Sequence, residues 1–178
     1  MTCVKTKKND MDDVVKSIVE RFELVPHPEG GYFREVYRST VALNHPAIPS
    51  GFERTRAAGT LIYFLLEGRD FSAFHRVKWS DEIWHLYAGG PLELFVIDAD
   101  GELDRRVLTS DILSGQPTTT IPAGAWQSAR LAAGSNWAFG GCTVSPGFDF
   151  DDFEMPRAAD LLARYPTHAS TIRELTRG

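Results

Sequence analysis

A chain of 178 residues with 43% apolar and 24% charged side chains has the composition of one globular domain large enough for a sizeable core. Its net charge of −5 excludes broad nucleic-acid binding, which needs basic stripes to neutralise phosphates, and no apolar run approaches the roughly 20 residues that span a bilayer, so neither a nucleic acid nor a membrane is expected as a partner. Two cysteines, Cys3 and Cys142, make no disulfide framework, and the Lys-rich start has no apolar stretch behind it, so a cytoplasmic protein with reduced thiols is expected.

Residues 1–10 read as a disordered start and 11–178 as a single domain. Over 12–24, Val14, Val15, Ile18, Val19 and Phe22 recur at helical spacing, with Asp10 as a candidate N-cap and Pro26 and Pro28 as the stop. The signal then changes to short strands punctuated by Gly, Pro, Asn and Asp, at 32–38, 59–66, 72–78, 83–87, 92–97, 104–108, 118–121, 126–131 and 137–144. Residues 44–54, with two prolines and a glycine, form a loop expected to overhang a barrel mouth, and Asp98-Ala99-Asp100-Gly101 is a hairpin turn. After Pro156 the helical period returns over 157–165 and 169–176. Nine short strands with no helix between them predict a barrel or jelly roll, and no repeat or linker divides the chain.

The chemistry concentrates around two segments. In Phe74-His75-Arg76-Val77, alternation puts His75 and Val77 on one face; Glu82 opens the next strand with Trp84 and Leu86 on its own side, and Gly89-Gly90-Pro91 closes it. A hairpin brings His75 and Glu82 together. About forty residues later comes Ile121-Pro122-Ala123-Gly124-Ala125-Trp126-Gln127. These residues resemble the two motifs of the cupin superfamily: His75, Glu82, Gly89, Pro122 and Gly124 match, while Val77 and Gln127 stand where two further metal-binding histidines would be. Pro28-Glu29-Gly30-Gly31-Tyr32-Phe33-Arg34-Glu35, Thr60-Leu61-Ile62-Tyr63-Phe64-Leu65-Leu66, Ser80-Asp81-Glu82-Ile83-Trp84-His85 and Arg164-Tyr165-Pro166-Thr167-His168 narrow the resemblance to the cupin type 5 family, from about Leu24 to Leu175. The resemblance implies a mainly β cupin double-stranded β-helix, a jelly-roll barrel with one helix before it and one or two after it, assembled as a homodimer. It implies little chemistry, because that family is largely of unknown function and one fold hosts many activities.

The residues themselves set the expectations for the site. Imidazole and carboxylate suit a transition metal, but Val77 donates nothing and Gln127 is a weak neutral donor, so no cofactor is expected; His75, Glu82 and Gln127 would be the metal residues if weak divalent binding occurred. The alternative is hydrogen-bond or acid–base work by Glu82 and His75 on a small-molecule ligand, with Gln127 beside them. The competing reading is that those three only satisfy one another in a retired metal site, since buried polar groups are paired whether or not they act. Trp84, Tyr63, Tyr37 and Glu35 are secondary pocket candidates, with the facing of their strands open by one register step. His85 and Arg76 should face away, and the run Phe148-Asp149-Phe150-Asp151-Asp152-Phe153-Glu154 should cap the barrel edge, Phe inward and carboxylates solvated. Two functions follow as expectations: binding of a polar or sugar-like molecule without essential metal, or a metal-independent sugar-nucleotide epimerase or isomerase using a His base and a Tyr acid. A metal-dependent cupin enzyme is disfavoured, and binding against turnover stays open.

Overall fold

The computed structural model describes residues 6–50 and 53–177. Two antiparallel sheets lie face to face. One is ordered β1 (Val25–Pro26), β2 (Tyr32–Arg38), β5 (Thr60–Glu67), β12 (Trp137–Ser145), β7 (Asp81–Gly89) and β10 (Thr118–Ile121). The other is ordered β13 (Phe153–Glu154), β6 (Phe71–Val77), β11 (Trp126–Leu131), β8 (Leu92–Ile97) and β9 (Leu103–Leu108), and β3 (Ala42–Asn44) with β4 (Thr55–Ala57) makes a separate ribbon. This is the expected jelly roll with one helix before it and two after it, α1 (Thr6–Phe22), α2 (Ala158–Arg164) and α3 (Ala169–Glu174). Its two sheets remain a sandwich with separate edges and do not close into a barrel.

Strand alternation divides the apolar side chains into three packed regions. Between the sheets lie Phe64, Leu66, Trp84, Leu86, Leu94, Val96 and Ile121. The outer face of the smaller sheet, Phe74, Phe95, Ile97 and Trp126, is covered by Leu161, Tyr165, Ile172 and Leu175 of the C-terminal segment. The outer face of the larger sheet, with Leu65 and Phe139, is covered by Val15 and its helical neighbours Ile18, Val19 and Phe22. Every residue of β8 is consequently buried, which explains why its sequence is apolar on both faces around the single exception of Glu93. Glu93 is held by Arg130 at 2.8 Å and by Arg105.

The structure corrects several expectations. The helix begins at Thr6, so residues 6–10 of the expected disordered start are helical and Asp10 lies inside the helix, not at its cap; Lys7 and Lys8 are good helix formers that extend the element. Residues 1–5, and with them Cys3, lie outside the described residues. Strands β1, β3, β4 and β13 are two or three residues long, too short for a period to register. The segment expected to overhang the mouth instead lies over a neighbouring cleft, where Ile48, Pro49 and Glu53 meet Trp79 and Asp151. Within the acidic aromatic run, β13 does cap the edge of β6, but Asp152 is buried, not solvated: its carboxylate takes both arms of the equally buried Arg56 guanidinium at 2.7 and 2.9 Å.

That pair ties β4 to the Phe148–Phe153 segment, and Lys78 donates its backbone N–H to the Asp152 carbonyl at 2.9 Å. Removing one partner of a buried ion pair strands the other charge, so Asp152→Ala is expected to lower the unfolding free energy by about 3 kcal/mol or more. Urea denaturation checks this. A loss below about 1 kcal/mol would show that Arg56 finds water or another acceptor, and that the pair does not anchor this segment.

Candidate active site

A cavity of about 230 Å³ opens between β2, β5, β7 and β12 of the larger sheet and β6 and β13 of the smaller one. Its inner end is polar and buried: Glu29, His75, Glu82 and Cys142, with His27 beside them. Ile62, Val77, Val144 and Phe33 supply apolar walls, and Glu35, Arg38, Asp149 and Phe150 surround the solvent side.

Glu29 reaches this place through a tight turn. His27 N–H donates to the Gly31 carbonyl and Gly30 N–H to the His27 carbonyl, both at 3.0 Å, while Gly31 N–H donates to Asp70 Oδ2 at 2.7 Å. Gly30 has φ of +116°, and a Cβ there would sit 2.2 Å from the Phe71 carbonyl oxygen, so only glycine fits. The Glu29 carbonyl then accepts from Ala73 N–H at 2.8 Å and from Arg177 Nε at 3.1 Å, fixing the turn on β6. The side chain points inward, where Ser72 Oγ donates to Oε1 at 2.8 Å. Its other oxygen, Oε2, lies 3.3 Å from His75 Nε2 and 3.4 Å from His27 Nδ1.

His75 is oriented by its neighbour. Nδ1 lies 2.8 Å from the Ala73 carbonyl, which can only accept, so Nδ1 carries the proton and the neutral ring turns the Nε2 lone pair toward Glu29 and the cavity. Glu82 is oriented from the opposite side: Gln127 Nε2 donates to Oε2 at 2.6 Å, and Gln127 Oε1 accepts from Trp84 Nε1 at 2.8 Å. Since an indole N–H only donates, this chain of bonds sets the amide with its nitrogen toward Glu82.

Burial governs the ionisation of the whole group. It pushes Glu29 up to about 8, against the opposing Ser72 hydrogen bond and Arg177 charge. Burial also raises Glu82, opposed by His75, and lowers His75, opposed by Glu82. His27 falls to about 4 through burial, reinforced by His75, and the Cys142 thiol is raised well above its usual range by burial and then by the two acids. The Glu29–His75 contact has the geometry of an ion pair, but burial disfavours charge on both partners. At neutral pH it is a carboxylic acid facing an imidazole lone pair.

The four motif positions do not fit a metal. Val77 has no donor atom, and the Gln127 oxygen is already committed to Trp84 while its NH2 faces Glu82. Among the described residues no three His, Cys, Asp or Glu side chains are arranged to hold an ion.

The structure brings His75 and Glu82 together in the cavity, but across the sandwich and not through the expected hairpin, because β6 and β7 belong to opposite sheets; Glu35 lines the solvent side, bonded to Arg38 at 2.9 and 2.6 Å. Gln127 joins Glu82 but lies behind it, fully buried, and Trp84 lies deeper still against Phe64 in the core. Tyr37 is turned out and 56% exposed, because a β-bulge between Glu35 and Tyr37 reverses the alternation and brings Arg38 inward in its place. Tyr63 is on the outer face of its sheet, packed on Phe22 and Phe139. His85 also faces outward, 2.9 Å from Thr143 Oγ1, and Arg76 pairs with Glu154 on the outer side of β6. Sequence reasoning missed Glu29, His27, Arg38 and Cys142. The consecutive glycines after Glu29 mark a turn in the sequence, but not where that turn carries the acid.

Comparison with known proteins shows the family and the fold. Residues 16–156 match the family described as Cupin superfamily (DUF985). A solved hypothetical protein from Leishmania major is 34% identical, with a TM-score of 0.81, covering 92% of this chain and 98% of its own. Protein SO0799 from Shewanella oneidensis is 36% identical, with a TM-score of 0.78, covering 91% and 96%. The uncharacterized protein YML079W of Saccharomyces cerevisiae is 27% identical over 169 residues, 89% of this chain and 83% of that one.

The raised pKa of Glu29 has a definite thermodynamic sign. Between about 4.5 and about 8 the folded chain holds a proton that the unfolded chain has lost, so this group's contribution to stability is full below that window and is lost as pH rises through it. Glu29→Gln keeps the shape and cannot titrate. Its stability relative to the natural chain is therefore expected to improve by more than about 1 kcal/mol from pH 5 to pH 8, read by chemical denaturation at each pH. A pH-independent difference would mean that Glu29 ionises normally in the folded state.

Proposed function

The chain belongs to the Cupin superfamily (DUF985) family, and on that premise we propose that it binds a small polar molecule, of about the size of a sugar, in the cavity between its sheets without an essential metal. The observation that carries this reading is the inner end of the cavity. Glu29, His75 and Glu82 are each held in one orientation by neighbours behind them, and each turns hydrogen-bonding capacity toward the open volume. Apolar walls on both sheets would exclude water from the other side of a guest.

A second reading, proton transfer, is favoured by the Glu29–His75 contact. An acid 3.3 Å from an imidazole nitrogen, whose other nitrogen is anchored to a carbonyl, has the parts of an oriented acid–base pair. The sugar-nucleotide epimerase version loses support, because it needs a Tyr acid and neither Tyr37 nor Tyr63 lines the cavity. Metal-dependent chemistry lacks the donors at Val77 and Gln127. The proposal extends to a cytoplasmic homodimer: Val25, Val36 and Tyr37 are exposed along β1 and β2, the outermost strands of their sheet, and an exposed edge with apolar side chains is a ready pairing surface.

A thermal-shift screen of monosaccharides, polyols, small amines and small carboxylates is expected to give a hit whose affinity falls about tenfold or more in Glu82→Ala, the cost of leaving a polar group unpaired being ~1–3 kcal/mol. Far-UV circular dichroism should be unchanged. Hits indifferent to Glu82→Ala and Glu29→Gln would place the site elsewhere, and one transition-metal ion per chain surviving dialysis would contradict the metal-free reading. Light scattering should give the dimer mass at micromolar concentration; a monomer mass would remove the assembly proposal.

A further inference from the structure

The charges around the cavity select among polar guests. Among the described residues Arg38 is the only Lys or Arg lining it, and its charge is paired: two of its nitrogens bond the Glu35 carboxylate at 2.9 and 2.6 Å, and its third donates to the Phe148 carbonyl at 3.1 Å. The two imidazoles are kept neutral by burial. An anionic guest therefore meets no unpaired cation among the described lining residues, and an anion beside Glu29 and Glu82 would oppose, where a cation would favour, the charged form of those acids. At the inner end the His75 Nε2 lone pair and Glu29 Oε2 face each other at 3.3 Å beside the open volume, one proton shared between two groups that can both accept once it leaves. Toward the solvent side stands a group of phenyl rings at steep mutual angles: Phe148 to Phe150 at 5.1 Å and 82°, Phe148 to Phe153 at 5.9 Å and 64°, and Phe150 to Phe153 at 6.1 Å and 81°. Rings packed edge to face on one another make a π-rich wall, and a ring face turned to a guest attracts a cation and does nothing for an anion.

We propose that the guest of this cavity is an organic ammonium ion, a protonated amine on a compact apolar body, with its N–H donors at Glu29, His75 and Glu82 and its body among Phe33, Phe148 and Phe153. This rests on the reading of the cavity as a binding site for a small polar molecule and narrows it. Sugar phosphates, nucleotide sugars and carboxylates are excluded as a class, since each brings an anion to a site whose one cation is already bonded. A buried acid and an incoming cation each favour the charged form of the other, so entry of the ammonium restores the ionisation that burial suppresses.

Three probes of one shape separate the alternatives: benzylamine, benzyl alcohol and benzoate, titrated at pH 7 by calorimetry or ligand-observed NMR into the full chain and into Phe150→Ala and Glu82→Gln. Phe150 is 56% exposed, so its truncation leaves the fold in place. The amine is expected to bind at least about 5-fold more tightly than the alcohol, with benzoate weakest, and Phe150→Ala should reduce that preference. Benzoate binding as tightly as the amine overturns the proposal, as does an amine that fails to bind at millimolar concentration or whose preference survives both substitutions. Equal binding of amine and alcohol that is lost in Glu82→Gln overturns the ammonium assignment alone and leaves the polar-ligand reading standing.

Discussion

Glu29 carries a carboxyl group into a part of the sandwich where an ionised acid costs several kcal/mol, and much of the surrounding chain is arranged so that this burial is tolerable. Ser72 gives one oxygen a hydrogen bond, Gly30 and Gly31 let the turn pass against Phe71 and Leu65, and Arg177 bonds the carbonyl behind the acid while its guanidinium lies 4.5 Å from the Phe71 ring. The Leu175 carbonyl accepts from Phe74 N–H at 2.8 Å, so the segment after α3 lies along the same strand that Glu29 is fastened to. The acid, the strand bearing His75 and the C-terminal segment are in this way one structural unit. Packing of Ile172 and Leu175 on the outside of β6 has a direct bearing on geometry at the inner end of the cavity.

The opposite wall is built by a different device. Glu82, Gln127 and Trp84 form a chain of bonds that begins in the core and ends at the cavity, so the carboxyl group inherits its orientation from an indole fixed against Phe64. The sandwich is well packed below this line and open above it. Below, large side chains such as Leu94 and Leu86 fill the space between the sheets; above, Cys142 and Val144 are small enough to leave the volume that Glu29 and His75 face. No helix among the described residues is long and apolar enough to cross a membrane.

The strands were legible in the sequence because their burial is one-sided or complete, and alternation or an unbroken apolar run reports either. The starts and ends of β8 and β11 coincide with the expected ones for that reason, and those of β2 and β10 coincide although both strands are largely exposed. Two-residue strands such as β1 and β13 leave no period to detect. His75 and Glu82 were legible because motif spacing and alternation put both on inward faces, although they meet across the sandwich and not in the expected hairpin. Glu29 was not, because its partner Ser72 is 43 residues away and nothing local says that a turn acid will be folded under a distant strand. Tyr37 was misread for a physical cause: alternation from Phe33 through Glu35 puts it inward, and the bulge that reverses the count is set by pairing with β5, not by β2 itself. Gln127 faces the side the motif says, but whether its amide serves a guest or Glu82 depends on Trp84 behind it. Fold class and half the inner end of the cavity are thus properties of local pattern. The other half is a property of tertiary contact.

The central claim is that folding places a protonated Glu29 carboxyl at the inner end of a cavity where it can meet a guest. The measurement that tests it most directly is a side-chain carboxyl titration by carbon-13 NMR on glutamate-labelled protein, with the Glu29 resonance assigned through Glu29→Gln. The expected midpoint for Glu29 is about 8, well above the ordinary glutamate value of 4.5. A Glu29 resonance titrating near the ordinary glutamate value of 4.5 would show an ionised, water-exposed group, and would contradict a protonated acid at the inner end of the cavity.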